Sequence, residues 1–271
     1  MTEHRASLRL IDGHPEQPGI ISRAELLGQG LFETLRWNGE RFPLLSFHEA
    51  RLKRGADWLG YDSGQVISSF RSELAVRIEA DLPKQPASVR FQWSHQQLER
   101  GYASHPGIPV TLWQWSTTVP EPVRTLKRLA LAEQPIVENP GPAVKHTSRV
   151  DQVVAADRDG AAQIRCDRDG YLREGLSGNL VFWRHGQLCA PSLERHGVQG
   201  TLLNWLLDFA RVQGWPVIQG DLPPAALQRA DAALVLNALG AQVVNEFAGS
   251  RYNLALPQLT TTLQAIRQLL S

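Results

Sequence analysis

Lys145 is the side chain of this sequence best suited to covalent chemistry, because a lysine amine can capture an aldehyde carbon and then move protons. It follows the Pro- and Gly-rich loop of residues 139–144 and precedes a helix that we expect from about Ser148. A stiff loop that ends at a helix holds a lysine in one place. The alternative interpretation is an ordinary exposed lysine in a loop.

Two further segments could contribute polar groups to a site around Lys145. Glu174 ends a strand before the turn Gly-Leu-Ser-Gly, and Asn179 begins the apolar strand that follows. Residues 197–200, Gly-Val-Gln-Gly, directly precede a helix whose first N–H groups have no partner within the helix, which suits a phosphate. Taken singly, Glu174 also fits a surface hairpin, and the glycines fit an ordinary helix start.

Arg51 lies on a predicted helix with well-marked ends. Ser46 and Glu49 have the spacing of a capping box, and Gly60 stands where a left-handed C-cap belongs. Phe47 lies one turn from Arg51, so the arginine leaves a partly apolar stripe of the helix. An arginine in that position needs an anion, and the sequence leaves open whether this anion is a carboxylate or a phosphate.

The elements that must position these side chains predict an α+β, or mixed α/β, chain of two unequal domains. Residues 116–124 contain two prolines and no apolar period, which predicts a linker. It separates a small N-terminal α/β domain, residues 1–115, from a larger C-terminal domain, residues 125–271. In the larger domain we expect hairpins turned at residues 167–170 and 184–187, a helix after Gly200 and a terminal helix from Pro257.

The composition argues against several classes of protein. The 271 residues include 28 Lys and Arg against 27 Asp and Glu, a net charge of +1 that does not favour nucleic acid as a partner. No apolar run is long enough for a membrane helix, and the charged N-terminus does not resemble a signal peptide. Cys166 and Cys189 lack metal-ligand spacing, so we expect no metal site and interpret both as small apolar residues of a cytoplasmic protein.

Taken together, the motifs resemble the fold-type IV, or class IV aminotransferase, family of pyridoxal 5′-phosphate (PLP) enzymes. The resemblance runs from about residue 11 to residue 248 with order and spacing preserved. It implies a larger domain with a mixed or barrel-like sheet, a small-molecule substrate and a homodimer. The segments that carry it are residues 27–36 (LGQGLFETLR), 48–56 (HEARLKRGA), 145–156 (KHTSRVDQVVAA), 174–183, 197–200 (GVQG) and 230–239 (ADAALVLNAL).

The resemblance also implies a role for each site residue. Lys145 would bind the cofactor aldehyde covalently and act as the catalytic residue, and Glu174 would pair with the pyridine nitrogen. The cofactor phosphate would be held by Arg51 and by backbone amides at Thr201, Leu202 and Ala238, and the substrate by Arg100 and Asn237.

Within the family, four features are most similar to the lyases that convert 4-amino-4-deoxychorismate to 4-aminobenzoate and pyruvate for folate biosynthesis. They are the run Lys-His-x-x-Arg-x-x-Gln-Val, the Arg-Gly-Tyr of residues 100–102, the strand Asn-Leu-x-Phe-Trp-Arg of residues 179–184 and the Asn-Ala-Leu of residues 237–239. Gln29 and Trp93 depart from the family pattern, in what we expect to be substrate-facing loops. The alternatives are an aminotransferase acting on D-amino acids, branched-chain amino acids or amines, and a relative without catalytic activity.

Overall fold

The computed structural model describes residues 5–11, 14–15, 21–97, 101–102, 108–159 and 162–271. The chain divides into two units. Unit 1 comprises Met1–Val119 with Val144–Arg149, and unit 2 comprises Pro120–Ala143 with Val150–Ser271. Among the described residues, no helix is long and apolar enough to cross a membrane.

Unit 1 is an antiparallel sheet with three helices, counted over its described residues. The strands pair in the order β2-β1-β5-β4-β3. Their bounds, with those of the helices, are β1 (Arg5–Ile11), β2 (His14–Pro15), α1 (Arg23–Leu27), β3 (Leu31–Trp37), α2 (Leu45–Leu59), α3 (Ser63–Ala80), β4 (Ala87–His95) and β5 (Pro109–Ser116).

Alternation along the strands builds the core of unit 1. Every second side chain of β4, including Val89, Phe91 and Trp93, is buried and packs with apolar side chains of α2 and α3. The expectation that Trp93 lies in a substrate-facing loop is therefore wrong: it lies within β4, and its indole is fully buried.

The structure of helix α2 confirms the predicted C-cap and contradicts the predicted N-terminal capping box. Gly60 is the C-cap, with a φ of 72° in the left-handed region. The helix begins at Leu45 after Leu44, and no side chain caps it. The predicted capping box of Ser46 and Glu49 is therefore wrong, because Ser46 already lies inside the first turn.

Unit 2 contains helices and a mixed sheet whose described strands follow the order β6-β14-β13-β10-β9-β8-β7, with β11 joining β10 to β12. β15 and β16 form a separate two-stranded sheet. The element bounds are β6 (Val123–Leu126), β7 (Ala130–Leu131), α4 (Val150–Asp159), β8 (Gln163–Cys166), β9 (Leu172–Gly175), β10 (Gly178–Arg184), β11 (Gln187–Pro191), α5 (Thr201–Val212), β12 (Val217–Gly220), α6 (Pro224–Gln228), β13 (Ala232–Asn237), β14 (Gly240–Val244), β15 (Glu246–Phe247), β16 (Ser250–Arg251) and α7 (Pro257–Leu270).

The sheet of unit 2 contains both parallel and antiparallel pairs. β14 pairs in parallel with β6, whereas β10 pairs antiparallel with β9, β11 and β13. The two predicted hairpins, β8–β9 and β10–β11, are confirmed, as are the helix that begins at Thr201 and the helix that begins at Pro257. The mixed α/β fold class is confirmed as well.

Candidate active site

The backbone around Lys145 is fixed by the start of β3, within unit 1. The Phe32 N–H donates to the Lys145 carbonyl at 2.9 Å, and the Thr147 N–H donates to the Gly30 carbonyl at 2.8 Å. The Thr147 hydroxyl donates to the Gly28 carbonyl at 2.7 Å. Lys145 therefore stands next to an isolated β-bridge between Leu31 and His146, in a loop with a fixed backbone. The interpretation as an ordinary exposed lysine is wrong, because the side chain is partly buried and its amine is desolvated.

Arg149 holds the same segment from its other side. Its guanidinium donates to the carbonyls of Val144, at 3.0 Å, and of His146, at 3.2 Å. These are the residues on either side of Lys145. The arginine of the Lys-His-x-x-Arg motif thus clamps the backbone that carries the lysine.

The amine of Lys145 is prepared for nucleophilic chemistry. Part of the side chain remains accessible, but desolvation of the amine, followed by the charge of Arg51, lowers its pKa to about 7. Arg149 and Arg90 lower the pKa further, and Glu33 opposes them. The Nζ atom lies 4.7 Å from the centroid of the Phe32 ring. A large fraction of the amine is therefore neutral near pH 7.

Arg51 belongs to a buried ion pair of unit 1. Its Nε donates to Glu33 Oε1 at 2.9 Å and its Nη2 to Glu33 Oε2, while His48 Nδ1 lies 2.6 Å from Oε2. The three side chains are 1 to 4% exposed. Burial raises the pKa of Glu33, but Arg51 and His48 outweigh it and hold that pKa at about 2. Burial also lowers the pKa of His48.

Arg51 thus has a carboxylate partner, and a contact between Arg51 and a phosphate stays a prediction. Sequence reasoning missed Glu33 and His48 as members of this cluster. The available signal was Glu33 itself, an acidic residue at a core-facing position of the apolar strand β3, between Leu31 and Leu35.

Glu174 is buried in unit 2, and each oxygen of its carboxylate accepts a hydrogen bond. Gln152 Nε2 donates to Oε1 at 2.8 Å, and the Val198 N–H donates to Oε2 at 2.8 Å. A Cβ at Gly197 would lie 2.5 Å from the Glu174 carboxyl carbon, so this close approach requires glycine. The surface-hairpin interpretation of Glu174 is wrong, because the residue is only 3% exposed.

The Gly-Val-Gln-Gly segment forms a cradle at the N-terminus of α5. Gly200 is the N-cap, and no side chain caps the helix. Asn179 donates to the Val198 carbonyl at 2.7 Å, and its side-chain oxygen occupies the space that a Cβ at Gly200 would need. Thr201 is 1% exposed, and its hydroxyl has no hydrogen-bond partner among the described residues. Leu202, the next residue of this first turn, is fully buried.

The turn after β13 lies beside this cradle, since Leu236 pairs with Asn179 across the sheet. Asn237 donates to the Ser177 carbonyl and accepts from the Leu239 N–H, each at 2.9 Å. Its amide therefore holds the turn that contains Ala238, and a substrate contact of Asn237 stays a prediction.

Two other predicted residues need separate mention. Arg100 lies outside the described residues. Gln29 lies in a loop, as expected, where its side-chain oxygen accepts from Arg23 Nε at 2.5 Å. The structure thus brings Lys145 together with Arg51 in unit 1, and Glu174 together with the α5 cradle in unit 2.

The sequence profile of the family described as amino-transferase class IV matches residues 30–247. The chain belongs to this family. Its members depend on PLP, and the family resemblance stated from the motifs is confirmed.

Known relatives of this class IV chain include lyases and aminotransferases. It is 28% identical over 191 residues to a Schizosaccharomyces pombe protein provisionally named aminodeoxychorismate lyase, a match covering 66% of this chain and 73% of the relative. The crystal structure of 4-amino-4-deoxychorismate lyase from Pseudomonas aeruginosa is 26% identical, with a TM-score of 0.79 and coverage of 95% and 97%. The branched-chain aminotransferase of Thermoproteus uzoniensis is 20% identical, with a TM-score of 0.81 and coverage of 98% and 95%, and shows likeness of fold alone.

The residues of this class IV chain fit PLP on structural grounds. Unit 1 offers the amine of Lys145, which has a lowered pKa, for the aldehyde. Unit 2 offers a buried carboxylate for the ring nitrogen and a helix N-terminus for the phosphate. The Thr201 hydroxyl is the buried polar atom that such a phosphate would satisfy.

Proposed function

We propose that this chain is a PLP-dependent carbon–oxygen lyase that converts 4-amino-4-deoxychorismate to 4-aminobenzoate and pyruvate. The observation that carries the proposal is Lys145, a rigidly held amine with a pKa lowered to about 7. Such a group serves both as covalent anchor and as proton carrier at neutral pH. The lyase-like motif supports this choice, because its Arg149 holds the Lys145 backbone and its Gln152 holds Glu174.

Each site residue has a role in this proposal. Bound PLP supplies an aldehyde and an electron sink. Lys145 Nζ would bind the aldehyde carbon until the substrate amine displaces it. The freed amine would then accept the proton from the substrate carbon that bears nitrogen and deliver a proton to the departing enol side chain. Glu174 accepts a hydrogen bond from the ring nitrogen. Arg51 and the amides of Thr201, Leu202 and Ala238 hold the phosphate, and Arg100 and Asn237 bind the substrate.

The second candidate is a class IV aminotransferase acting on D-amino acids, branched-chain amino acids or amines. It is favoured by the family itself, which is described as amino-transferase, and by the likeness in fold to a branched-chain aminotransferase. One scaffold hosts several reactions, so the fold does not separate the two candidates.

The deciding experiment is a product assay with the PLP-loaded enzyme. We expect 4-amino-4-deoxychorismate to give pyruvate and 4-aminobenzoate in equal amounts without any added amino acceptor. In parallel, D- and L-amino acids are offered with 2-oxoglutarate, and we expect little or no transfer. Amino transfer without pyruvate release from 4-amino-4-deoxychorismate would establish the aminotransferase instead.

We also propose that the enzyme is a cytoplasmic homodimer. Most soluble oligomers are symmetric, and Val150, Val153 and Val154 form an exposed apolar strip on α4, a feature typical of interaction surfaces. Neither cysteine forms a disulfide. Light scattering at micromolar concentration should give twice the 30.1 kDa chain mass. A fully active monomer would contradict the dimer.

A further inference from the structure

Arg165 is a buried arginine beside the proposed cofactor carboxylate, in a place where the sequence gives no hint of a site. It lies in the middle of the short strand β8, and its side chain is 2% exposed. The pairing of β8 with β9 shifts register between Ile164 and Cys166, so Arg165 stands at the irregularity. Such irregularities re-aim side chains and are common next to active sites.

The contacts of Arg165 leave part of its guanidinium unused. Nη1 donates to Asp151 Oδ2 at 3.2 Å, and Nη2 lies 3.7 Å from Glu174 Oε1. Nε and Nη2 have no hydrogen-bond partner among the described residues. Burying a cation with unused donors is costly, so ordinary packing does not explain an arginine at this position.

Helix α4 and strand β8 both place charged side chains near Glu174. Helix α4 contributes Asp151 and the neutral amide of Gln152, and β8 contributes Arg165. Arg173, the neighbour of Glu174 on β9, is instead paired with aspartates, at 2.5 Å from Asp167 and 2.7 Å from Asp221.

The cluster of Arg165, Asp151 and Glu174 therefore holds two carboxylates and one guanidinium. These three side chains together carry one net negative charge. A protonated ring nitrogen bound to Glu174 would balance it.

We propose that Arg165 is a positioning residue that acts through Glu174: it keeps the carboxylate ionised and lowers the proton affinity of the ring nitrogen that Glu174 binds. This inference rests on the proposed function, since it assigns the Glu174 carboxylate to the PLP ring. A cation within about 4 to 6 Å disfavours protonation of a carboxyl group and of anything that shares its proton. Arg165 thus lowers the pH at which the ring nitrogen loses its proton.

The signs of two substitutions follow from this arrangement. Arg165→Met removes a positive charge, so the ring nitrogen should keep its proton to a higher pH. Asp151→Asn removes a negative charge and leaves Glu174 as the carboxylate partner of Arg165. The midpoint pH for protonation of the ring nitrogen should therefore fall. The second shift should be smaller, because Asp151 is 31% exposed and water screens it.

The test is a pH titration of the holoenzyme reconstituted with PLP labelled with ¹⁵N at the ring, followed by the nitrogen chemical shift. Arg165→Met should raise the midpoint by about one pH unit or more, and Asp151→Asn should lower it. Arg165→Lys, which keeps the charge, should restore most of the wild-type midpoint. Arg173→Met is the matched control: it removes another buried, ion-paired arginine and should leave the midpoint unchanged.

Three results would overturn the proposal: an unshifted midpoint in Arg165→Met, an equal shift in Arg173→Met, or an upward shift in Asp151→Asn. If Arg165→Met does not fold, Asp151→Asn decides the matter, since an unshifted midpoint in that variant contradicts the proposal. Borohydride reduction of the wild-type holoenzyme, which fixes the cofactor to Lys145, distinguishes a failure of the proposed function from a failure of this inference. Without that label the proposed function fails and this inference falls with it, whereas a labelled enzyme with unmoved midpoints rejects Arg165 alone.

Discussion

The surroundings of Lys145 in unit 1 and of Glu174 in unit 2 are opposite in character. Around the lysine, desolvation and the charges of Arg51, Arg149 and Arg90 favour the neutral amine. Around the glutamate, the Gln152 amide, the Val198 N–H and Arg165 all stabilise a carboxylate. Each unit thus favours, for its own group, the protonation state that the proposed PLP chemistry requires. Substitutions can therefore disrupt the environment of Lys145 and that of Glu174 separately.

The largest effect is expected from Lys145→Ala, which removes the group that unit 1 prepares. Turnover should fall by at least the roughly 10² to 10⁴ that general acid–base catalysis contributes, and further because the covalent anchor is lost. Borohydride reduction and peptide mapping should place the cofactor on Lys145 in the wild type and on no residue in the variant. A label elsewhere in the chain would refute the assignment of the lysine.

Next in size is Arg51→Ala, which should affect both stability and cofactor affinity. The change leaves the Glu33 carboxylate buried without its guanidinium, and breaking a buried pair in this way costs about 3 to 5 kcal/mol. Loss of a charge-assisted phosphate contact should also raise the PLP dissociation constant roughly ten- to hundred-fold. Denaturant unfolding and cofactor titration measure the two effects.

A double variant separates the two effects of Arg51. In Glu33→Gln with Arg51→Met no buried charge of the pair remains, so much of the lost stability should return. The PLP affinity should stay weak, because the phosphate contact is still missing. If affinity recovers together with stability, Arg51 is a structural arginine and does not bind the cofactor.

The local structure was predictable where turn chemistry is local. The hairpins β8–β9 and β10–β11 and the start of α5 at Thr201 follow from short glycine-containing turns. The prediction for the start of α2 is wrong, because the helix already begins at Leu45, ahead of the Ser46 that was expected to cap it.

Contacts between distant parts of the chain were not predictable. The pairing of β6 with β14 and the docking of Val144–Arg149 along β3 join segments about 100 residues apart, and no local pattern encodes such partners. For the same reason the motifs indicate Lys145 and Glu174, whereas the ion-pair partners of Glu33 and Arg165 follow only from the tertiary structure. The expected loop position of Trp93 is wrong because the residue continues the alternation of β4, which turns its indole into the core.

Acid unfolding should be sensitive to the unit 1 ion pair. The pKa of Glu33 is lowered from 4.5 to about 2, so its ionised form stabilises the fold above pH 4.5, and this contribution is lost as the pH falls toward 2. The shift corresponds to about 3 kcal/mol. Stability measured between pH 5 and pH 2.5 should therefore fall less steeply in Glu33→Gln than in the wild type. Parallel curves would show that the pair does not titrate with folding.

A smaller effect is expected in the pH dependence of cofactor attachment. Only the neutral amine attacks an aldehyde, and the pKa of Lys145 is lowered to about 7. The rate of covalent PLP uptake by the apoprotein should rise up to about tenfold per pH unit below 7 and level off above it. Arg90→Met removes one of the cations that lower this pKa, so the bend should move to a higher pH. A bend near pH 10 in the wild type would contradict the neutral amine.

The smallest effect is expected on the exposed side of the same helix that carries Arg51. Lys53 pairs with Asp57 at 2.8 Å, but the side chains are 59% and 51% exposed, against 4% and 1% for Arg51 and Glu33. Water and salt screen an exposed pair, and ordering two long side chains opposes its formation. Lys53→Met should therefore leave the denaturation midpoint, PLP affinity and turnover within experimental error. A measurable loss of PLP affinity in Lys53→Met would show that α2 acts on the cofactor through its overall charge, and the specific role of Arg51 would then have to be abandoned.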